Sequence, residues 1–331
     1  MRVRSNPGSW VFAYCAIAFG IVQVPLLRSQ VSTSMAAPAV GNDPVASERA
    51  LVAQGLLAKA EDALRSFVHD NPKSADGHFL LGYVFFREQK AKESLAEFTA
   101  GAAVRRPKAD ELKTVASDYV LLRDFEDADT WFSEVTAETP TDWDAWYLLG
   151  RTQFNEGRYE KAVASFQRSL ELHPKFVESE NNLGLTYREL NETAKSRTAF
   201  ETAIEWQGAA PVDAQPYLNL GTLLVEQGET EKGIAQLTKA AELSPNNPKA
   251  HEQLGSAYEA QDQMAKAEEE MQQAVSLAPE TSALHFKLGG IYRKEGKKDL
   301  AQAQFKICER LNSTHSSTET PNPFLPGASQ R

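Results

Sequence analysis

Cysteine is nearly absent from this chain: two residues, Cys15 and Cys308, in 331. One lies in an apolar N-terminal stretch and the other close to the end, so no disulfide framework holds the chain and its stability must come from its core. A concentrated basic face is also missing. The net charge is −10, with 45 acidic against 35 basic residues spread along the chain. Nucleic-acid binders need clustered Lys and Arg to neutralise phosphates, so that partner class is excluded. There is no glycine-rich phosphate loop, no His-x3-His metal pair and no Ser, Cys or His nucleophile constellation. An enzyme, a metal site and a cofactor are therefore not expected. Long alternating runs of β-branched residues are absent too, whereas Leu and Ala abound, which suits many short amphipathic helices.

The one long apolar run is at the start. Arg2 and Arg4 precede an apolar stretch from Trp10 to Leu27, the charge and hydropathy layout of an export signal. Small residues follow at Ser34-Met35-Ala36 and Ala37-Pro38-Ala39. The run is about 18 residues, near the lower length for crossing a bilayer. A removed signal and a retained anchor with the remainder outside both fit, and the basic residues favour the same orientation in each. Residues 1–40 are thus expected to export the chain or tie it to the cytoplasmic membrane, their only membrane contact being through this segment. Cys15 lacks lipoprotein-type surroundings, since Phe12 and Tyr14 stand upstream of it.

Beyond residue 40 the chain repeats itself. Leu81-Gly82, Leu149-Gly150, Leu183-Gly184, Leu220-Gly221, Leu254-Gly255 and Leu288-Gly289 recur in step, with Val115-Ala116 in the remaining place. The spacing is 34 residues, with one interval of 37. A bulky residue follows each pair: Phe85, Tyr119, Phe154, Tyr187, Leu224, Tyr258 and Tyr292. Twelve residues after each Gly comes Ser94, Ala128, Ala162, Ser196, Gly233, Ala267 or Ala301. Four further on stands Phe98, Phe132, Phe166, Phe200, Leu237, Met271 or Phe305. Most units close on proline, at Pro107, Pro140, Pro174, Pro245 and Pro279. Residues three or four apart share one helical face, so the pattern predicts pairs of helices in which a small residue on the first admits a ring from the second. Proline ends the second helix, and Gly157, Gly228 and Gly296 are placed to end the first in a left-handed turn.

This pattern resembles the tetratricopeptide repeat family, whose signature is Trp-x2-Leu-Gly-x2-Tyr, Ala-x3-Phe and Pro. Trp146, Leu149, Gly150, Ala162, Phe166 and Pro174 match it in register, with Gln153 standing where Tyr is expected. The resemblance implies an all-α, right-handed α-solenoid of stacked helix-turn-helix hairpins. Seven units are expected at 75–108, 109–142, 143–176, 177–210, 214–247, 248–281 and 282–312. A degenerate N-terminal cap precedes them at 41–74, and a disordered Ser/Thr/Pro-rich tail follows at 313–331. The three extra residues near Gly208-Ala209-Ala210-Pro211-Val212 are either a tolerated loop or a bend in the stack. Cys308 is expected to be buried and inert.

The resemblance also implies a function: a non-enzymatic scaffold that holds an extended segment or helix of a partner protein in a concave groove lined by the first helices. The partner would be a protein or peptide, and the chain a monomer or weak homo-oligomer. Groove candidates are Phe79, Tyr83, Phe86, Lys113, Tyr147, Arg151, Asn182, Arg188, Asn219 and Gln253, with Ser117 and Phe154 beside them. Aromatics and Arg make an apolar groove with charged anchors. Asn182, Asn219 and Gln253 occupy equivalent places and form a short amide series, similar to the asparagine ladder of O-linked N-acetylglucosamine transferases. The Lys-Asn-Asn-Lys-Arg carboxylate clamp of chaperone-binding relatives does not occur at matching positions. His78, His251 and His285 share one slot, expected to be a packing position, and Glu268-Glu269-Glu270 is expected to be a solvated helix face. The alternative function is an envelope assembly protein that stacks on itself or a neighbour through its terminal repeats.

Overall fold

The computed structural model describes residues 43–318. The apolar N-terminal run, the small-residue sites, Cys15 and the tail past residue 318 lie outside the described residues. The described residues form sixteen helices and no strand. They pair as α1 (Ala46–Ala53) with α2 (Leu57–Asp70), α3 (Ala75–Arg87) with α4 (Ala91–Ala102), α5 (Ala109–Leu121) with α6 (Phe125–Glu138), and α7 (Trp143–Asn155) with α8 (Tyr159–Leu172). The stack continues with α9 (Val177–Glu189) and α10 (Thr193–Gln207), then α11 (Gln215–Glu226) and α12 (Thr230–Leu243). It ends with α13 (Pro248–Ala260), α14 (Met264–Leu277), α15 (Ser282–Lys294) and α16 (Lys298–Thr318). The all-α hairpin architecture expected from the period is the one the chain forms. Each helix packs against the next in sequence, and first helices of successive hairpins also touch, α3 on α5, α7 on α9, α9 on α11 and α11 on α13.

The start of each hairpin is set by local chemistry. Ser74, Asp142 and Asn247 cap α3, α7 and α13, their side chains accepting backbone N–H groups that the helix cannot satisfy. Pro248 opens α13, where its missing N–H costs nothing. The turn inside every one of the eight hairpins needs a left-handed residue two positions past the first helix. Gly157, Gly228 and Gly296 supply it as expected, and Gly55 does so in the short first hairpin. Gln89, Arg123, Asn191 and Asp262 hold the same position with φ of 58–62° despite carrying side chains.

The interior follows the repeat. Phe98, Phe132, Phe166, Phe200, Leu237 and Met271 are buried against the small residues of their own hairpins. A Cβ added to Gly184 would come within 2.6 Å of the Phe200 ring, which is why the close helix approach requires glycine there. Burying one such ring stabilises by ~1.5–3 kcal/mol. At the C-terminal end two expectations fail for one reason. Phe305 is only partly buried, and Cys308, in the slot filled by the fully buried Ala240 and Ala274, is half-buried. No further hairpin among the described residues covers the outer side of α16. That helix also runs to Thr318, past residue 312 where the sequence pattern ends the last unit, so 313–318 continue the helix where a disordered tail is expected.

The longer connection after α10 is a tied loop. Gln207 accepts the Val212 and Asp213 backbone N–H groups through one oxygen, at 3.1 and 2.8 Å, and donates to the Asp213 carbonyl. Gly208 turns it with φ of 66°.

Candidate interaction surfaces

All ten groove candidates lie on first helices: Phe79, Tyr83 and Phe86 on α3, Lys113 on α5, Tyr147 and Arg151 on α7, Asn182 and Arg188 on α9, Asn219 on α11 and Gln253 on α13. Their availability differs. Phe79 is 3% exposed; it packs on Phe98 with ring centroids 5.7 Å apart, and the Arg105 guanidinium covers its other side at 4.4 Å. Tyr147 is also 3% exposed, wedged edge-on against Phe176 at 4.9 Å, with burial raising its phenol pKa above the ordinary value. Both are core residues rather than groove residues, because the neighbouring second helix and inter-hairpin turn close over the helix face they share.

Lys113 is spoken for as well. Its ammonium pairs with Asp142 at 2.9 Å and Asp144 at 3.2 Å, tying α5 to the cap of α7. The amide series does not form a ladder. Asn182 Nδ2 donates to the Glu178 carbonyl at 2.7 Å and to the Tyr147 hydroxyl at 3.3 Å. Asn219 is 8% exposed and donates to Asn181 Oδ1 at 2.8 Å, so its amide is turned into the inter-hairpin seam. Gln253 is half-buried.

What remains accessible is narrower. Tyr83 and Phe86 are half-exposed neighbours on α3, their rings 6.3 Å apart, with Arg87 donating to the Tyr83 hydroxyl. Arg151 lies over the Tyr147 ring at 5.6 Å, and Arg188 is half-buried on the adjoining first helix. Neither arginine has a carboxylate partner among the described residues. Ser117 and Phe154 are half-exposed on α5 and α7, Phe154 packing edge-on against Tyr159.

The histidine slot is structural. Nε2 of His78, His251 and His285 lies 3.1, 3.0 and 2.8 Å from the carbonyls of Pro72, Pro245 and Pro279. Nδ1 lies 2.7 Å from Glu97, Glu270 and Gln304 respectively. Each ring thus clasps a turn to a second helix. Of the acidic run, Glu270 holds His251 and Glu268 pairs with Lys297, while Glu269 is exposed. No group of three or more His, Cys, Asp or Glu side chains suited to a metal ion occurs among the described residues. No described helix is long and apolar enough to cross a membrane.

Sequence reasoning missed the role of Gln153. It is buried between α7, α8 and α6, donating to Asp129 Oδ1 at 2.9 Å and accepting from Ser165 at 2.8 Å, while Arg158 closes on Asp129 Oδ2 at 2.8 Å. The signal was present as the one departure from the repeat signature in its best-matching unit.

A stack of like hairpins, with one row of first helices carrying half-exposed rings and guanidinium groups that have no carboxylate partner among the described residues, defines an interaction scaffold. Family models described as tetratricopeptide repeat match residues 49–110, 143–176, 178–209 and 248–281, and one described as TPR repeat matches 221–262. The chain belongs to the tetratricopeptide repeat family. It is similar to the CTR9 homolog protein of Arabidopsis thaliana, at 29% identity over 155 residues, which are 46% of this chain and 14% of that protein. Among solved structures it is similar to a tetratricopeptide repeat protein from Parabacteroides merdae, with 20% identity and a TM-score of 0.59 over 80% of this chain and 97% of the other. A chain of the APC/C Cut9–Hcn1 hetero-tetramer superposes with a TM-score of 0.58 at 15% identity, covering 81% of this chain and 52% of that one. At these identities the likeness is one of fold.

Proposed function

We propose that the chain is a non-enzymatic scaffold, exported or held at the cytoplasmic membrane by its N-terminal segment, that binds a segment of another protein along its first helices. The observation that carries this is the pair Arg151 and Arg188: two guanidinium groups on adjoining first helices, without carboxylate partners among the described residues, on a chain whose net charge is −10. Cations left unneutralised on an acidic protein are anchors for a partner's carboxylates, and half-exposed rings on the same row of first helices, Phe154 on α7 and Tyr83 and Phe86 on α3, offer apolar contact. Arg2, Arg4 and the apolar run Trp10–Leu27 motivate the location.

Photo-crosslinking in the native cell tests it, from Tyr83 and from Arg151, each replaced by a photoreactive residue. One dominant foreign protein captured from both sites, and lost on Arg188→Glu, is the expected result. Only self-adducts, or none, would count against the first-helix surface.

The last hairpin favours a second reading, assembly through the terminal repeat. Phe286 is 62% exposed in the slot where Phe79 and Tyr147 are buried, and Phe305 is half-covered. Sedimentation of the full chain decides it: association with concentration that Phe286→Glu abolishes supports stacking, and a single species at all concentrations sinks it.

A further inference from the structure

The slot that holds the three histidines is filled in every hairpin from residue 75 onwards except one. Leu112, Trp146 and Tyr217 occupy it elsewhere, and Trp146 Nε1 donates to the Pro140 carbonyl at 3.1 Å just as the histidine rings reach their prolines. In the hairpin of α9 and α10 the residue is Glu180, and the carbonyl six residues earlier belongs to Pro174. The Glu180 carboxyl makes no hydrogen bond to it, and no other donor among the described residues meets that carbonyl. Where the ring would lie there is instead an open cleft of about 700 Å³ between α8, α9 and α10.

Its wall is chemically specific. Leu170 and Leu183 give an apolar surface, and Trp206, half-buried in the last turn of α10, presents an indole with no ring or cation stacked on it among the described residues. The Glu180 carboxylate makes no hydrogen bond or ion pair among those residues, and burial alone pushes its pKa up to about 7. The other charged groups on the wall are Glu171 of α8, already paired with Arg168 at 2.7 Å, and Lys175 of the turn. The cleft belongs to the second helices and the start of α9, so it is separate from the first-helix surface proposed above.

We propose that this cleft is a docking site for an arginine side chain of a partner protein. A guanidinium is planar and carries five N–H donors. It can pair with the Glu180 carboxylate, give the Pro174 carbonyl the N–H that a ring offers in four other hairpins, and lay its face on Trp206. Leu170 and Leu183 suit its methylene stem. An aromatic occupant would leave the Glu180 charge without a partner, an acidic one would repel it, and a lysine ammonium lacks the planar face and fixed fork that fit the indole and the two acceptors together.

The test is a titration of the full ¹⁵N-labelled chain with acetyl-Gly-Arg-Gly-amide, following the Trp206 indole signal assigned through Trp206→Phe. The expected result is a saturable shift, with affinity at least about fivefold weaker for the lysine peptide and more than about tenfold weaker for the citrulline peptide. Glu180→Gln weakens binding about tenfold, and Glu180→Trp, which fills the slot as Trp146 does, abolishes it. Affinity rises from pH 6 to pH 8 as Glu180 ionises, and that rise vanishes in Glu180→Gln, which separates it from Lys175 and Glu171. Arg151→Ala leaves all of this unchanged, so the cleft and the first-helix surface fail or stand separately. Equal binding of the citrulline peptide, a shift that survives Glu180→Trp, or no saturable shift would overturn the assignment.

Discussion

The interiors of hairpins α5–α6 and α7–α8 are polar where those of α11–α12 onward are apolar, at the same places in the repeat. Mid-way along the first helix, Asp118 and Thr152 are buried where Leu223, Ala257 and Ile291 stand later. One residue on, Gln153 takes the place of Leu224, Tyr258 and Tyr292. The backbone is the same in both regions, so the repeat specifies a volume to be filled rather than its chemistry. Polar groups are tolerated because a neighbouring hairpin brings the partner: Ser94 of α4 donates to Asp118 at 2.5 Å, and Asp129 of α6 meets both Gln153 and Arg158. At these places in the repeat, buried directional bonds join the earlier hairpins and apolar burial joins the later ones.

Asp118 offers the largest way to break this contrast. Burial pushes its carboxyl from 3.8 up to about 7, against the weaker opposing pull of the Ser94 hydroxyl. Between about pH 4 and 7 the folded chain holds a proton that the unfolded chain has released, so stability falls as pH rises through that window and is level above it. Asp118→Asn, which imitates the protonated acid, should match the parent near pH 4 and exceed it by ~2–4 kcal/mol at pH 8 in urea unfolding. A variant no more stable than the parent at pH 8 would show that the buried carboxyl is already solvated.

The second contrast uses one ion-pair position twice. Asp129 pairs with Arg158 and also serves Gln153, while Glu268 pairs with Lys297 in the later region, where Tyr292 takes the place of Gln153. Asp129→Ala strands a buried amide and should cost ~2–3 kcal/mol. Glu268→Ala removes a similarly exposed pair without stranding a buried amide, since Tyr292 stands in place of Gln153, and should cost ~0–1 kcal/mol. Equal losses in matched denaturation curves would remove the distinction between the two regions.

The smallest effect concerns turns inside the polar region. Arg123 and Gly157 hold the same left-handed position in successive hairpins. Arg123→Gly should raise stability by ~0.5–1 kcal/mol by relieving the Cβ clash, read as a shift in melting temperature. No gain would mean that the surrounding contacts already offset that strain.

The hairpins could be read from the sequence because each core position recurs seven times, so single departures such as Val115-Ala116 could not hide the period. What the period reports is which helix face a residue occupies, not what covers it. Phe79 and Tyr147 share the face of Tyr83 and Arg151, yet are sealed by the Arg105 and Phe176 that approach from outside their helices. Gln89 and Arg123 gave no sign of left-handed turns, since neither favours that conformation by itself; the demand comes from closing the hairpin. Cys308 occupied an inward slot by register, but burial there depends on a following hairpin. Glu180 was visible as a residue and invisible as a vacancy, because a missing ring matters only once its neighbours are in place.

The substantial contacts among the described helices run only between successive helices or successive first helices. Such a chain is mechanically a spring, in which tension at one end is carried link by link through local interfaces. Under load from the α16 end, the hairpin of α15 and α16 yields first, since no other described hairpin packs on its outer side, and the strain then passes to hairpins fastened on both sides. The links whose buried places carry directional bonds, from α4 to α8, are the stiffer ones, so a partner pulled at one end would feel an elastic tether rather than a rigid rod.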